Sequence, residues 1–144
     1  MRRSWLPSLR GTPMTELSDT GLATRRRVLG TAHVARAEAQ TTPFDAPFQA
    51  LITDAAWGRV WSRDTITLRE RSMMTIALLA GLGNDGELAL HLRAIPNTGT
   101  SRDDVIEALL HVAIYAGVPR ANHAIRLAKE IFSEADAPTA GGPA

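Results

Sequence analysis

The chain has 144 residues, a formal net charge of +1 and no cysteine. This length is sufficient for one domain with its own core, and the lack of cysteine excludes disulfides, thiolate metal sites and thiol redox chemistry. Removing the three arginines of the first thirteen residues from the total leaves a net charge of −2, so the composition does not indicate a nucleic-acid surface.

Three segments are expected along the chain. Residues 1–13 begin with basic residues but lack the apolar region of a secretory signal, so we expect a disordered extension ahead of an alternative start at Met14. Residues 14–134 are predicted to form the folded domain, and 135–144 a disordered tail. No apolar run approaches the roughly 20 residues that span a bilayer. We therefore expect no membrane association and a cytoplasmic location.

Helical apolar spacing recurs through the first half of the chain. Gly30 is the expected stop of the first helix, whose arginine run 25–27 is typical of a solvated face. The next segment is helical or extended, and Pro43 begins a turn. Trp57 and Trp61 end the following helix, where two tryptophans four apart more often belong to a core or an oligomer contact than to a ligand site. The predicted ranges are 16–30, 32–40 and 48–61.

Two helices are predicted to meet in the middle of the chain. The first begins with a capping box of Thr67 and Glu70, has an almost wholly apolar body, and ends at the glycines of the sequence GLG. The second begins at Asn84 or Asp85 and carries the acid and histidine of residues 87 and 91. Two further helices are predicted after residue 100, separated by Gly117.

The sequence therefore predicts an all-α protein of about six helices, since no alternating strand pattern of useful length occurs. Two of these helices, in residues 67–83 and 101–117, have little polar surface. Such helices are hard to bury within one small protomer. We therefore expect an oligomer in which they pack against a neighbouring copy.

Glu87 and His91 form the most suggestive pair of polar residues. Their i, i+4 spacing on one helix allows the carboxylate to orient the imidazole and favour its protonated form. Such pairs also occur on solvated helix faces, where they stabilise a helix by only about 0.2 to 0.5 kcal/mol. Spacing alone leaves both interpretations open.

Five stretches in order carry a resemblance to a known family, and it extends from about Thr20 to Phe132. They are RRRVLGTAHVARA (25–37), FQALITDAAWGRVW (48–61), RERSMMTIALLAGLG (69–83), ELALHLRAIPNTG (87–99) and VIEALLHVAIYAGVPRANHA (105–124). Together they resemble the carboxymuconolactone decarboxylase family, which belongs to the alkylhydroperoxidase-like superfamily. The peroxidase branch is not indicated, because the positions of its two cysteines fall on Asn84 and Glu87 and that of its relay glutamate on Ser72.

The resemblance implies an alkylhydroperoxidase-like helical fold, a homo-oligomer expected to be a hexamer, and a decarboxylase without cofactor or metal. The implied reaction converts 4-carboxymuconolactone, a lactone dicarboxylate, to the 3-oxoadipate enol-lactone in protocatechuate catabolism, a branch of the β-ketoadipate pathway. The two departures from the family pattern, His111 and the proline at residue 96, lie away from the Glu87 and His91 pair. The four histidines share no i, i+3 or i, i+4 spacing, so the sequence does not indicate a metal site.

The resemblance also implies roles for particular residues. His91 is expected to deliver a proton, with Glu87 orienting it. Arg71 is expected to bind a substrate carboxylate, with pairing to Glu87 or Glu70 as the alternative. Four further residues could contribute to the substrate pocket, each with a surface, capping or core role as its alternative: His33, Arg36, Trp57 and Asn122.

Two other functions stay open from the sequence. One is a related decarboxylase or isomerase acting on another carboxylated lactone. The other is a non-catalytic helical oligomer that binds small acids, for which ligand would stabilise the protein without forming product.

Overall fold

The computed structural model describes residues 14–138, and all regular secondary structure in this range is helical. The described elements are α1 (Met14–Leu29), α2 (Thr31–Gln40), α3 (Ala46–Ile52), a π-helix (Thr53–Trp61), α4 (Leu68–Leu82), α5 (Asp85–Arg93), α6 (Ile95–Thr98), α7 (Arg102–Tyr115) and α8 (Val118–Asp136). None of these helices is long and apolar enough to cross a bilayer. The predicted extension 1–13 lies outside the described residues, as does the predicted tail beyond residue 138.

The predicted all-α class is confirmed, but the predicted number of helices is wrong. Residues 14–138 contain eight α-helices and one π-helix instead of about six helices. One of the additional helices is the single turn α6, whose first turn contains Pro96, a position where proline is well tolerated. The single helix predicted for residues 48–61 is divided, because its second part forms i→i+5 backbone bonds.

The sequence signals at the start and end of α4 are confirmed. The Thr67 hydroxyl accepts from the Glu70 amide at 3.1 Å, and the Glu70 carboxylate accepts from the Thr67 amide at 2.7 Å. Gly83 follows the last turn with a φ of 75°, which glycine adopts without steric cost. The capping box fixes where α4 begins and thereby positions Arg71, which lies in its first turn.

Two groups of buried apolar side chains organise the molecule. The first, here called the bundle cluster, joins α4, α5, α6, α7 and α8 and contains only Ala, Val, Leu and Ile: Ile76, Ala80, Leu88, Leu92, Ile95, Val105, Leu109, Val112, Ala121, Ala124, Ala128 and Ile131. The second, here called the tryptophan cluster, joins α1, α2, the π-helix and the end of α5: Val28, Leu29, Val34, Trp57, Trp61 and Ala94. Because α5 contributes to both clusters, it connects the two halves of the fold.

The packing of α1 against the π-helix depends on a glycine. A Cβ atom at Gly21 would overlap the carbonyl oxygen of Thr53, so only glycine allows this approach of the two backbones. Arg25 lies one turn further along α1 and is buried, donating from Nη1 to Oε1 of Gln49 at 3.3 Å. The prediction that the whole arginine run lies on a solvated face is therefore wrong for Arg25, because the close packing of α1 encloses it.

Candidate active site

His91 lies in α5 between the two clusters and stacks on both tryptophans of the π-helix. Its ring centroid is 5.8 Å from that of Trp61 and 6.5 Å from that of Trp57, with interplanar angles of 18° and 13°. The two indoles are themselves 5.1 Å apart. The sequence predicted Trp57 as either a pocket wall or a core residue, and its buried ring belongs to the tryptophan cluster while also facing the imidazole.

Burial determines the charge of this imidazole. Only 7% of His91 is exposed, and desolvation lowers its pKa from 6.5 to about 4. Burial disfavours the charged form of a histidine. His91 is consequently neutral at pH 7 in the free protomer.

Glu87 does not counteract this desolvation. Within the described part of the chain, no hydrogen bond or ion pair joins Glu87 to His91, and Glu87 is exposed in the first turn of α5. A carboxylate in the first turn of a helix is favoured by the helix dipole, which stabilises Glu87 without a contact to the imidazole. The expectation that Glu87 holds His91 in its protonated form is therefore not met in the protomer.

Arg71 places a positive charge beside the same region. Its Nη2 and Nε atoms donate to the carbonyl oxygen of Arg63 at 2.9 and 3.3 Å, and the residue is 9% exposed. Among residues 14–138, no carboxylate forms an ion pair with Arg71, and Glu70 is engaged in the capping box. The alternative in which Arg71 is the structural partner of Glu70 or Glu87 is not observed. A buried guanidinium of this kind retains capacity for an anion.

The other predicted pocket residues differ in their positions. His33 is half-buried and Arg36 exposed on α2, whose Val34 packs in the tryptophan cluster, so both lie on an element adjacent to the stacked rings. Asn122 lies on the exposed face of α8 and lines a separate shallow cleft with Arg126 and Lys129. No contact of the described residues brings Asn122 to the His91 stack.

Three residues near the stack were not predicted as site residues from the sequence. Trp61 was interpreted as a core or oligomer residue, although its ring stacks on His91 more closely than that of Trp57. Arg27 and Arg63 line a cleft of about 590 Å³ beside Trp61. The recurrence of tryptophan at i and i+4 was the available signal for Trp61. No local pattern in the sequence indicated the two arginines, because their proximity to Trp61 arises from tertiary packing.

The remaining histidines are separate from the site. His123 pairs with Asp85 at 3.0 Å, and His111 stacks on Tyr115 with ring centroids 6.2 Å apart. In residues 14–138, no group of three histidines or acids is arranged to hold a metal ion. The site chemistry available to the protomer is thus acid–base chemistry of a buried imidazole and anion binding by arginine.

An all-helical protein with these features belongs to a defined class. Residues 46–130 match the model of the carboxymuconolactone decarboxylase family, and the chain belongs to this family, as the sequence resemblance predicted.

Two curated relatives match most of the chain. The 4-carboxymuconolactone decarboxylase of Acinetobacter baylyi is 43% identical over 114 residues, which cover 79% of this chain and 85% of the relative. The nitrosuccinic acid decarboxylase of Metarhizium robertsii is 37% identical over 118 residues, which cover 82% of each chain.

Proposed function

We propose that this protein is a cofactor-independent carboxy-lyase that converts 4-carboxymuconolactone to the 3-oxoadipate enol-lactone in protocatechuate catabolism. The observation that carries the proposal is the 43% identity, over 79% of the chain, to a relative named for decarboxylation of that lactone. The stack of His91 on two tryptophans supplies a desolvated acid–base group suited to the reaction. We also propose a cytoplasmic location, which rests on the sequence alone.

The substrate itself can accept the electrons that the reaction releases. When the bond between the ring carbon and its carboxylate breaks, carbon dioxide leaves and the electron pair spreads through the ring double bond to the lactone carbonyl. The resulting dienolate then takes a proton at the ring carbon α to that carbonyl. The protein therefore needs to bind the retained acetate arm, stabilise the developing oxyanion and deliver one proton.

We assign proton delivery to His91. Its imidazole is neutral in the free protomer because burial lowers its pKa to about 4. A bound substrate brings two negative charges, and nearby negative charge raises the pKa of a histidine. We therefore propose that His91 takes up a proton as substrate binds and passes it to the dienolate carbon.

This coupling has a specific pH signature. Because the free enzyme must gain a proton, kcat/KM should fall by about tenfold for each pH unit above the lowered pKa, whereas kcat should stay level until the higher pKa of the complex is reached. Steady-state rates between pH 5 and 9 measure both profiles. A kcat/KM that rises with pH across this range would contradict protonated His91 as the acid.

Arg71 is proposed to bind the retained carboxylate of the acetate arm. Its guanidinium is buried and attached only to the backbone of Arg63, so it is held in place without an acid to neutralise it. Arg71→Lys keeps the charge but removes the planar fork, and we expect KM to rise about tenfold while kcat changes little. Unchanged KM in a folded variant would return Arg71 to a structural role.

The roles of the other predicted residues stay proposals. Trp57 would exclude water from the imidazole, and His33 and Arg36 would line the pocket from α2. Asn122 lies on another face, so it could contribute an oxyanion donor only to a neighbouring protomer.

The role of Glu87 in catalysis can be tested by substitution. Glu87 is exposed, and Glu87→Gln is compared with Glu130→Gln, which changes an exposed glutamate of α8. Equal rates for these two variants would remove Glu87 from the mechanism.

The first experiment supplies the unstable lactone with a 3-carboxymuconate cycloisomerase and follows carbon dioxide and the enol-lactone by NMR. We expect release well above the spontaneous rate, and a loss of at least about a hundredfold in kcat for His91→Ala, the range for a general acid. His123→Ala, on the exposed face of α8, is the matched control. Ligand-induced stabilisation without any product would instead support the non-catalytic acid-binding alternative.

A second substrate class is favoured by the 37% identity to a nitrosuccinic acid decarboxylase. A nitro group beside a carboxyl group can accept the released electrons, as the lactone carbonyl does, so one scaffold could serve both reactions. A panel of carboxylated lactones and nitro acids at equal concentration distinguishes the two. If kcat/KM were higher for a nitro acid than for 4-carboxymuconolactone, the nitro acid would be the preferred substrate.

We further propose that the protein assembles as a ring-shaped homo-oligomer, with a hexamer as the expected size. One large apolar surface lies on α4 and α7 and includes Leu78, Leu82, Ile114, which is 78% exposed, and Tyr115, which is 85% exposed. A second lies on and beside α3 and the π-helix, and includes Phe44, which is 95% exposed. Two separate apolar surfaces allow each protomer to contact two neighbours, as a closed ring requires.

Mass measurement by light scattering tests this assembly. We expect a single oligomer for the unmodified protein, and dissociation for Ile114→Glu, which places a charge within the apolar surface of α7. Ser133→Glu, on the exposed face of α8, is the control with the same change of charge. A monomeric unmodified protein at micromolar concentration would contradict the oligomer.

A further inference from the structure

The cleft beside Trp61 has an unusual excess of positive charge. It lies between the end of α1, the residues after the π-helix and the start of α4, and its volume is about 590 Å³. Three arginines line it, Arg27, Arg63 and Arg69, against one acid, Asp64. Arg69 is paired through two hydrogen bonds with Asp104. Among the described residues no carboxylate forms an ion pair with Arg27 or Arg63, so these two charges are available to a ligand.

The cleft is also connected to the proposed acid–base group. Trp61 lines the cleft and its ring stacks on His91, so the indole separates the arginines from the imidazole by the thickness of one side chain. The carbonyl oxygen of Arg63 accepts both hydrogen bonds of Arg71. The backbone of Arg63 therefore holds Arg71, while Arg63 itself lines the cleft together with Arg27 and Trp61.

We infer that this cleft binds the retained carboxylate arm of the substrate, with Arg27 and Arg63 as its direct partners. The inference rests on the proposed function and adds two specificity-determining residues to it. Guanidinium groups pair with carboxylates through two parallel hydrogen bonds, which fix orientation as well as affinity. The ligand class is a small lactone or similar flat acid that has a carboxylate on a short flexible arm.

The chemistry of the reaction determines which carboxylate belongs in the cleft. The departing carboxylate loses its charge as carbon dioxide forms, so strong pairing to arginine would stabilise the ground state more than the transition state. The retained carboxylate keeps its charge throughout, and pairing it costs nothing in the barrier. A cleft with two unpaired arginines therefore suits the retained arm.

Other concave surfaces fit this ligand less well. The cleft that encloses Arg25 is also lined by Asp19, Glu38 and Asp54, which repel an anion. The hollow between α4 and α7 is lined mostly by apolar residues, among them Leu78 and Leu82, and no arginine or lysine lines it. The cleft of α8 holds Arg126 and Lys129, but no contact of the described residues brings it to His91. Among these surfaces, the cleft beside Trp61 is therefore the one whose charge and position both match the retained arm.

A direct binding experiment uses a lactone that keeps the acetate arm but has hydrogen in place of the ring carboxylate. This probe cannot lose carbon dioxide, so its Kd can be measured by titration calorimetry on the unmodified protein and on Arg63→Gln and Arg27→Gln. We expect Kd to rise at least about tenfold for each variant, and KM for the full substrate to rise with it while kcat stays within about threefold. Arg63→Gln leaves the backbone carbonyl that holds Arg71 in place.

Controls separate lost charge from lost structure. Arg59→Gln removes an exposed arginine of the π-helix that does not line the cleft, and we expect its Kd and KM to equal those of the unmodified protein. Arg63→Lys keeps the charge, and we expect Kd between the values for the unmodified protein and for Arg63→Gln. Thermal melts verify that all four variants fold.

The outcomes distinguish this inference from the proposed function. Turnover by the unmodified protein, with Kd and KM unchanged in Arg63→Gln and Arg27→Gln, would overturn the inference and leave the function intact. Probe binding that depends on both arginines, without any turnover, would support the cleft and overturn the proposed reaction. Absence of both binding and turnover in the unmodified protein would overturn both.

Discussion

The two buried clusters differ in the kind of side chain that they enclose. The bundle cluster contains aliphatic residues alone, so its members gain free energy from burial without desolvating a polar group. The tryptophan cluster contains two indoles, on which the buried imidazole of His91 stacks. Arg71 is also buried and donates to the carbonyl oxygen of Arg63, two residues after Trp61. Burying a titratable ring and a guanidinium costs free energy. The bundle cluster therefore contributes most to the free energy of unfolding. The region around the tryptophans lowers it, because a titratable ring and a guanidinium are kept out of water there.

The largest effect on stability is expected in the bundle cluster. Leu109 is almost fully buried in α7, and Leu109→Ala should lower the free energy of unfolding by about 2 to 5 kcal/mol because it removes apolar contacts and leaves a cavity. We expect kcat per folded protomer to stay within about twofold. Urea denaturation and steady-state rates measure the two quantities, and a large loss of kcat in the folded variant would show that the clusters are not separable.

The next effect concerns acid pH and arises from His91. The native pKa of about 4 lies below the unfolded value of 6.5, so between these values the unfolded chain binds more protons and stability falls as pH falls. The free energy of unfolding should fall by at most about 1.4 kcal/mol for each pH unit, and by at most about 3 kcal/mol in total. Denaturation at pH 4 to 7 measures it. His91→Phe should remove this part of the slope, and an unchanged slope in that variant would assign it to other groups.

Substitution of Trp61 is expected to have a smaller effect on stability but a clear effect on kcat. Trp61→Phe keeps an aromatic ring in the tryptophan cluster but reduces its area, so we expect a loss of about 1 kcal/mol in stability. The thinner wall admits water to His91, and kcat should fall about tenfold, equivalent to about 1.4 kcal/mol in the barrier. Stopped-flow rates and urea melts test this, and a variant slower by less than twofold would limit Trp61 to packing.

The smallest expected differences come from two helix caps of the same design. Thr67 begins α4 and Ser101 begins α7, each with a capping box. Alanine at either position should cost about 1 kcal/mol of stability. Only Thr67→Ala should also raise KM, because the first turn of α4 holds Arg71. Equal KM values for both variants would show that fraying of α4 does not reach the site.

Local sequence signals predicted much of the fold. The capping box at Thr67, the glycine stop at Gly83 and the separation of α7 from α8 at Gly117 appear where the sequence placed them. These signals act within one or two turns, so they can be interpreted without the tertiary structure. The helix count was wrong because a one-turn helix and a change to i→i+5 bonding leave no clear local pattern.

The site was only partly predictable for a related reason. Spacing placed Glu87 and His91 on one helix, but the charge of His91 depends on two indoles that are at least thirty residues away in the sequence. The same applies to Arg25, which looked solvated in a charge run and is enclosed by close packing of α1. Desolvation depends on the folded structure. A sequence pattern can therefore identify a titratable group as a candidate site residue, but it does not determine the pKa of that group.

The π-helix makes the site sensitive to the length of the chain. Its i→i+5 bonding places more residues in each turn than an α-helix holds, so residues four apart, such as Trp57 and Trp61, come closer to alignment along the axis. Deleting one residue between Thr53 and Trp61 would favour a regular α-helix and rotate the second indole away from His91. Homologues that retain this imidazole stack should therefore tolerate substitutions in the segment far more readily than insertions or deletions.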